Sequence, residues 1–324
     1  MRLPASLPHT LLCLSLVASP LATIPLEAGL AQTPSARAPA SSGPGKPDLQ
    51  AVADDLVVRA ERGEPDAQFK LAILGLSGKL GTQDARDVVR LLNAAASKGH
   101  REATFTLGTL VLKGWNMPAD PAKAAALFRR GADAGHIQSQ VALANLLYAG
   151  TGAAQDKAEA AEWFRKAADK GSATAQANLG LMYLRGDGLQ QDTAQGVSLL
   201  SRAAEGGLVG AQYNLATAYA TGNGVAQDAA KAMQWFLKAA ESGDQGAQYD
   251  LGVRLVTGKG VDPDAGEGLK WLMIAAVGPD PKLRGAARGT IEKVSPVAGN
   301  KAVIDAGEAS KLWLMKRQWQ PRSG

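Results

Sequence analysis

"AQYNLATAYATGNGVAQD" occupies residues 211–228, and "AQYDLGVRLVTGKGVDPD" occupies residues 247–264. The same phrase is spelled twice, each time around a Gly-x-Gly. A glycine pair after an apolar segment can cradle a phosphate, but only where a strand precedes it and a helix N-terminus points at the ligand. Here the preceding segment has helical spacing and no Lys-Ser or Lys-Thr follows. The pair therefore reads as a connector between two helices.

The phrase belongs to a longer series. Glycine recurs at a fixed step at Gly63, Gly99, Gly135, Gly171, Gly207 and Gly243, and again at Gly78, Gly114, Gly150, Gly186, Gly222 and Gly258. The same step of 36 links Leu71, Leu107, Leu143, Leu179, Leu215 and Leu251, and links Ala96, Ala132, Ala168, Ala204, Ala240 and Ala276. Four columns without an insertion define a repeat, which must be found before any other feature is read.

Each unit holds two helices. In helix A of the fifth unit, Ala211, Leu215, Ala216 and Tyr219 share one face. Gly222 closes it, because glycine takes the left-handed conformation without penalty. Asp228 then stands where an N-cap belongs, in one column with Asp84, Asp120, Asp156, Asp192 and Asp264. Helix B follows with Ala232, Trp235, Phe236, Ala239 and Ala240, and stops at Gly243. A single pair cannot bury both faces, whereas stacked pairs can, so the pattern predicts an all-α, α/α solenoid.

The ends read differently. Residues 1–31 form an export signal: Arg2 precedes the apolar "LLCLSLVA", and small residues place cleavage after Ala31. The stretch is too short for an ordinary membrane span, and Pro20 and Pro25 interrupt it, so no stable membrane insertion is expected once it is removed. Cys13 is the only cysteine, which leaves a mature chain free of thiol chemistry and suited to a periplasmic or secreted location. Residues 32–47 are rich in Pro, Ala, Ser and Gly and read as a flexible linker. Residues 48–62 resemble a lone helix B and form an N-terminal cap to the six units at 63–278. After Gly278 the period breaks, and residues 279–324 carry two capping helices, Pro281 to Val294 and Asn300 to Arg317, divided at Ser295-Pro296. The net charge of +5 is spread along the chain without a basic block, which does not indicate nucleic acid.

The stretch "AQYNLATAYATGNGVAQDAAKAMQWFLKAAESG" at residues 211–243 resembles the Sel-one-like repeat (SLR) of the tetratricopeptide superfamily, whose pattern is Ala-x-x-x-Leu-Gly-x-x-Tyr-x-x-Gly-x-Gly-Val…Ala-x-x-Trp-x-x-Lys-Ala-Ala-x-x-Gly. The resemblance implies a right-handed superhelix of helix-turn-helix repeats and a role as a protein–protein scaffold or adaptor without catalysis, cofactor or metal. One branch of the family restrains a sensor kinase that controls exopolysaccharide. That branch implies an envelope or sensor protein as partner. Another branch hydrolyses or binds β-lactams and pins its repeats with disulfides; the missing cysteines set this chain apart from it.

The residues that would bind a partner follow from the same resemblance. Tetratricopeptide-like arrays bind on the inner face of helix A, which holds Phe69, Phe105, Leu112, Tyr148, Leu181, Leu184, Tyr213 and Tyr249. For the aromatic members, packing between repeats is the competing reading. Trp115, in "GWNMPAD" at 114–120, stands where the other loops have polar residues. It is either an exposed contact or a cover over the N-terminal repeats. That loop lacks the second glycine and is expected to differ in shape. Gln68, Gln140, Gln176, Gln212 and Gln248 form a column expected to bond a neighbouring backbone. His100 and His136 share a column, but two imidazoles alone are a weak metal site and read as surface residues between repeats.

Overall fold

The computed structural model describes residues 49–78 and 85–319. The signal, the linker, Asp48, Lys79, Gly81, Asp84 and residues 320–324 lie outside the described residues. Fifteen α-helices and no strand are found among the described residues, and the chain is an all-α repeat solenoid. Two compact units divide it, one ending at Trp163 and one beginning at Phe164.

In the first unit α1 (Leu49–Glu61) precedes α2 (Pro65–Leu76), α3 (Ala85–Ser97), α4 (Arg101–Lys113), α5 (Pro121–Asp133), α6 (Ile137–Ala149) and the start of α7 (Lys157–Asp169). The second unit holds the rest of α7, then α8 (Ala173–Arg185), α9 (Thr193–Glu205), α10 (Val209–Thr221), α11 (Ala229–Glu241), α12 (Gln245–Thr257), α13 (Ala265–Ala275), α14 (Pro281–Ala298) and α15 (Asn300–Trp319). From α2 to α13 the even helices are A helices and the odd ones B helices.

Two kinds of turn join them. At the end of α3, α5, α7, α9 and α11 the glycine is left-handed, as at Gly243 with φ 93. Its N–H donates to Ala240 O at 3.0 Å, and the next N–H, from Asp244, reaches Ala239 O at 2.9 Å. This is the Schellman arrangement, and it satisfies carbonyls that a helix end otherwise leaves bare. Asp244 then caps α12, accepting from Ala247 N at 2.7 Å. One two-residue corner thus ends a B helix and starts an A helix.

The longer A-to-B turn uses both glycines of the Gly-x-Gly. Gly222 (φ 74) closes α10, and Gly224 (φ 77) lies against the first turn of α9, where a Cβ would run into the Thr193 carbonyl. Asp228 N donates to Tyr219 O at 2.9 Å, and the Asp228 carboxylate caps Lys231 N at 2.9 Å. Asp120, Asp156, Asp192 and Asp264 cap their B helices in the same way. Each such cap stabilises its helix by about 1 kcal/mol.

The sequence predicts a different shape for the "GWNMPAD" loop, and the structure corrects this. Its closing bonds match the others: Trp115 N to Leu110 O at 3.0 Å and Asp120 N to Val111 O at 3.1 Å. Asn116, in the column of the missing glycine, adopts φ 51 and is the one non-glycine residue at positive φ among the described residues. Asparagine tolerates that conformation better than other L-residues, so it replaces the glycine without reshaping the turn.

The C-terminal break is also placed differently. α14 runs through Pro296 and ends at Gly299, not at Ser295-Pro296. The proline sits in the last turn, where the loss of one N–H is tolerable. The Ser295 hydroxyl donates to Ile291 O at 2.8 Å beside it. Nor does the period stop after Gly278. Asp280 falls in the helix-A cap column and caps Lys282 N at 2.7 Å, and α15 begins at Asn300, the helix-B cap column. What is lost is the stop signal, because Val294 and Met315 stand where glycine closed the earlier helices. Without it α14 reaches 18 residues and α15 reaches 20, against 13 in α10 and α11.

The two left-handed positions make opposite predictions. Gly224→Ala should cost about 2–4 kcal/mol, combining left-handed strain with the Thr193 clash, whereas Asn116→Gly should stay within about 1 kcal/mol of wild type. Urea unfolding of the full chain, followed by circular dichroism, measures both.

Candidate protein-binding surface

The A helices carry the residues expected to meet a partner, and the structure sorts them. Tyr148, Leu181, Tyr213 and Tyr249 are buried, at 9%, 5%, 9% and 7% exposure. They pack between helices, as the competing reading of the aromatics holds. Phe69, Phe105, Leu112, Trp115 and Leu184 remain half-buried. Leu184 rests on Gly196 of α9, where a Cβ would crowd it.

Four of the five partly open side chains therefore lie in the first unit. Phe69 stacks at 4.6 Å on the His100 ring, and Phe105 at 5.4 Å on the His136 ring. Phe105 also meets Phe128 at 5.7 Å. Each phenylalanine has one side fixed by a neighbour and part of its ring in solvent. Trp115 sits at the loop tip, and its indole N–H makes no hydrogen bond with the described residues. Beside that loop is an open cavity of about 610 Å³, lined by Val111, Met117, Pro118, Asp120 and Gly152 among others.

The histidines have a structural task that spacing alone does not reveal. They lie half-buried between repeats, as expected, and are also the N-caps of α4 and α6: His100 Nδ1 accepts from Ala103 N at 3.2 Å, and His136 Nδ1 accepts from Ser139 N at 3.3 Å. Ser172 and Asp244 fill the same position and play the same part. That substitution pattern, serine and aspartate beside histidine, is the available signal. Among the described residues no group of three or more His, Cys, Asp or Glu could hold a metal ion.

Tyr213, a contact candidate in the sequence, has its hydroxyl turned inward. It donates to Asp250 Oδ2 at 2.8 Å, tying α10 to α12. Burial, and then the Asp250 charge, push this phenol well above its ordinary range, so it stays a donor at every physiological pH. Arg254, one turn beyond Asp250, lies 4.9 Å over the Phe236 ring. Its column otherwise holds Leu74, Leu110, Leu146, Met182 and Ala218, all buried. A charge in that apolar column is readable from the alignment of repeats. The burial that lowers the Arg254 pKa is opposed by Asp250 and Tyr213.

Comparison with known proteins places the chain. The family model of the Sel1 repeat matches six times, at residues 65–100, 101–136, 137–172, 173–208, 209–244 and 246–276, and the chain belongs to that family. Sel1 repeats lie within the tetratricopeptide-like superfamily, and their proteins are generally protein–protein interaction scaffolds, typically without catalysis. Among solved structures, one similar to this chain is a protective antigen present in uropathogenic Escherichia coli strains, displaying an SLR fold. Identity is 30% and the TM-score 0.71, over 82% of this chain and 56% of that one. This chain therefore spans little more than half the length of that relative. A Sel1 repeat protein from Oxalobacter formigenes is similar at 29% identity and TM-score 0.66, over 76% of this chain and 71% of that one. No curated protein matches. No helix among the described residues is long and apolar enough to cross a membrane.

The polar contacts are testable by substitution. Tyr213→Phe should lower stability by about 1.5–3 kcal/mol in urea unfolding, because a buried bond to a charged group is lost. Burial pulls the His136 imidazole below its usual value, with Arg101 and His100 adding to that and Glu102 opposing. The stability it contributes is then complete above the unfolded value of 6.5 and is lost as pH falls through the lower folded value. His136→Ser keeps a cap and removes the titration. The variant should match wild type within about 1 kcal/mol at neutral pH and lose less stability on acidification, as read from unfolding midpoints across the range.

Proposed function

We propose that this chain is an exported scaffold of the bacterial envelope that captures a protein partner through the first unit. The observation that carries the reading is the sorting of apolar side chains. Phe69, Phe105, Leu112 and Trp115 stay partly open in the first unit, where only Tyr148 of the candidates is closed, while Leu181, Tyr213 and Tyr249 are closed in the second and Leu184 is partly open. A tryptophan with an unused indole donor, beside anchored phenylalanines, has the make-up of an interface hot spot. Export is supported by the apolar leader "LLCLSLVA" and by a chain free of cysteine beyond it. A regulatory role, such as restraint of a sensor kinase governing exopolysaccharide, fits a scaffold of this kind in the periplasm. A hydrolase of cell-wall or β-lactam substrates is the alternative, and turnover of either substrate by the purified chain would replace the scaffold reading.

Affinity capture from periplasmic extract, with mass-spectrometric identification, tests the surface. Trp115→Ala and Leu112→Ser should each weaken recovery of the partner by about tenfold or more, with helicity unchanged. Equal recovery by both variants removes the assignment. The recovered chain should begin at Gln32.

A further inference from the structure

Eight large apolar side chains are exposed among the described residues, and four of them, Val297, Ile304, Leu312 and Met315, belong to α14 and α15. On α15 the exposures are 60% for Ile304, 59% for Leu312 and 62% for Met315. The opposite side of the helix is occupied. Ala306 and Ser310 are buried, and Trp313 meets Trp271 edge-on at 5.7 Å. Arg317 donates to the carbonyls of Glu241 and Ser242 at the end of α11. α15 is therefore held in place, with its outer apolar stripe facing away from the protein.

Charge on that stripe is patterned. At a turn of about 100° per residue, Ile304, Glu308, Lys311, Leu312 and Met315 fall within one arc of roughly 100°. Lys301 and Asp305 satisfy each other at 2.6 Å. Glu308 and Lys311 are both exposed and form no ion pair or side-chain hydrogen bond with the described residues.

We propose that this face seats a second copy of the same chain through two-fold symmetric, antiparallel pairing of α15. The arrangement of charges selects a copy over another partner. About a point between Ala309 and Ser310, Glu308 and Lys311 are equidistant, and so are Ile304 and Met315. Antiparallel pairing about that point brings Glu308 of each copy level with Lys311 of the other, and Ile304 level with Met315. Both ion pairs and both apolar contacts form at once, with the two Leu312 side chains flanking the axis. A parallel pairing in register would set Glu308 against Glu308. An isologous contact closes on itself and stops at two chains. This surface lies on the second unit and is independent of the partner surface proposed above.

Sedimentation velocity of the full chain across the micromolar range tests the proposal, with circular dichroism as the control for folding. Wild type should show a monomer–dimer equilibrium, and Leu312→Glu with Met315→Glu should abolish the dimer. Glu308→Lys alone and Lys311→Glu alone should each weaken it by about tenfold, because each sets like charges together twice. The double variant Glu308→Lys, Lys311→Glu should recover wild-type association, since the pairs re-form with signs exchanged. Rescue of that kind requires that the two residues meet across the axis. A chain that remains monomeric overturns the proposal, and so does a dimer indifferent to Leu312→Glu and Met315→Glu. Failure of the charge exchange to restore association overturns it as well.

Discussion

The last turn of α5, α7, α9 and α11 leaves a backbone carbonyl buried at the seam with the next A helix, and two donors meet there. At Ala240 the N–H of Gly243 arrives at 3.0 Å and the side-chain amide of Gln248 at 3.1 Å. Ala132 and Ala204 receive the same pair, from Gly135 with Gln140 and from Gly207 with Gln212. An orphan carbonyl in that position would cost about 1–3 kcal/mol. The alanine can have no larger side chain, because the seam is closed over it; Ala240 and Ala132 are essentially inaccessible. Three recurrent features, an alanine, a glycine and in most units a glutamine, are thus one requirement seen from three sides. The glutamine supplies its amide hydrogen, and Oε1 of Gln68, Gln140 and Gln212 is buried without a hydrogen-bond partner among the described residues.

That turn also explains the C-terminal pair. Arg284 stands in the column of the seam glutamine and donates to the carbonyls of Gly278 and Pro279 at 3.0 and 2.8 Å. Gln245 serves the buried Ala275 carbonyl instead, at 2.8 Å. The seam is satisfied by different side chains, so α14 still docks in phase. With no glycine to halt them, α14 and α15 run on, and the surplus length carries α15 across the end of α11, where Arg317 anchors it. Among the described residues, Ile304, Leu312 and Met315 on the outer stripe of α15 stay exposed.

The repeat and its period are legible because they depend on residue types with single physical meanings. Gly222 and Gly243 can be read as helix stops, and Asp228 as a cap, from local stereochemistry alone. Positions whose role depends on what lies opposite are not legible in that way. Tyr213 has the same look as a surface anchor and a seam residue until Asp250, one repeat later, is seen to accept its hydroxyl. His100 and His136 suggest a pair because they share a column, yet each serves its own helix through a local cap. Pro296 suggests a break, although a proline in the final turn removes only one bond. Asn116 looks like a missing glycine and is a substitute for one. In each case local rules fall short where a side chain can satisfy them in more than one manner.

Because the recurrent columns are consumed by seams and turns, specificity must lie where units differ. The second repeat departs most: tryptophan at the loop tip, asparagine for glycine, threonine for the seam glutamine. Thr104 bonds its own helix at His100 O, and it accepts from Arg130 at 3.4 Å, so this seam is joined less directly than its neighbours. The phenylalanines beside it are backed by histidine rings and not by the tighter Tyr–Asp bond of the fifth and sixth repeats. That seam has the weaker tie and leaves Phe69 and Phe105 partly open. The seam between α10 and α12 is tied by Tyr213 and Asp250, with Arg254 over Phe236, and its tyrosines are buried. One repeat sequence can thus leave apolar side chains partly open in one repeat and close them in another by changing a few side chains at a shared backbone register.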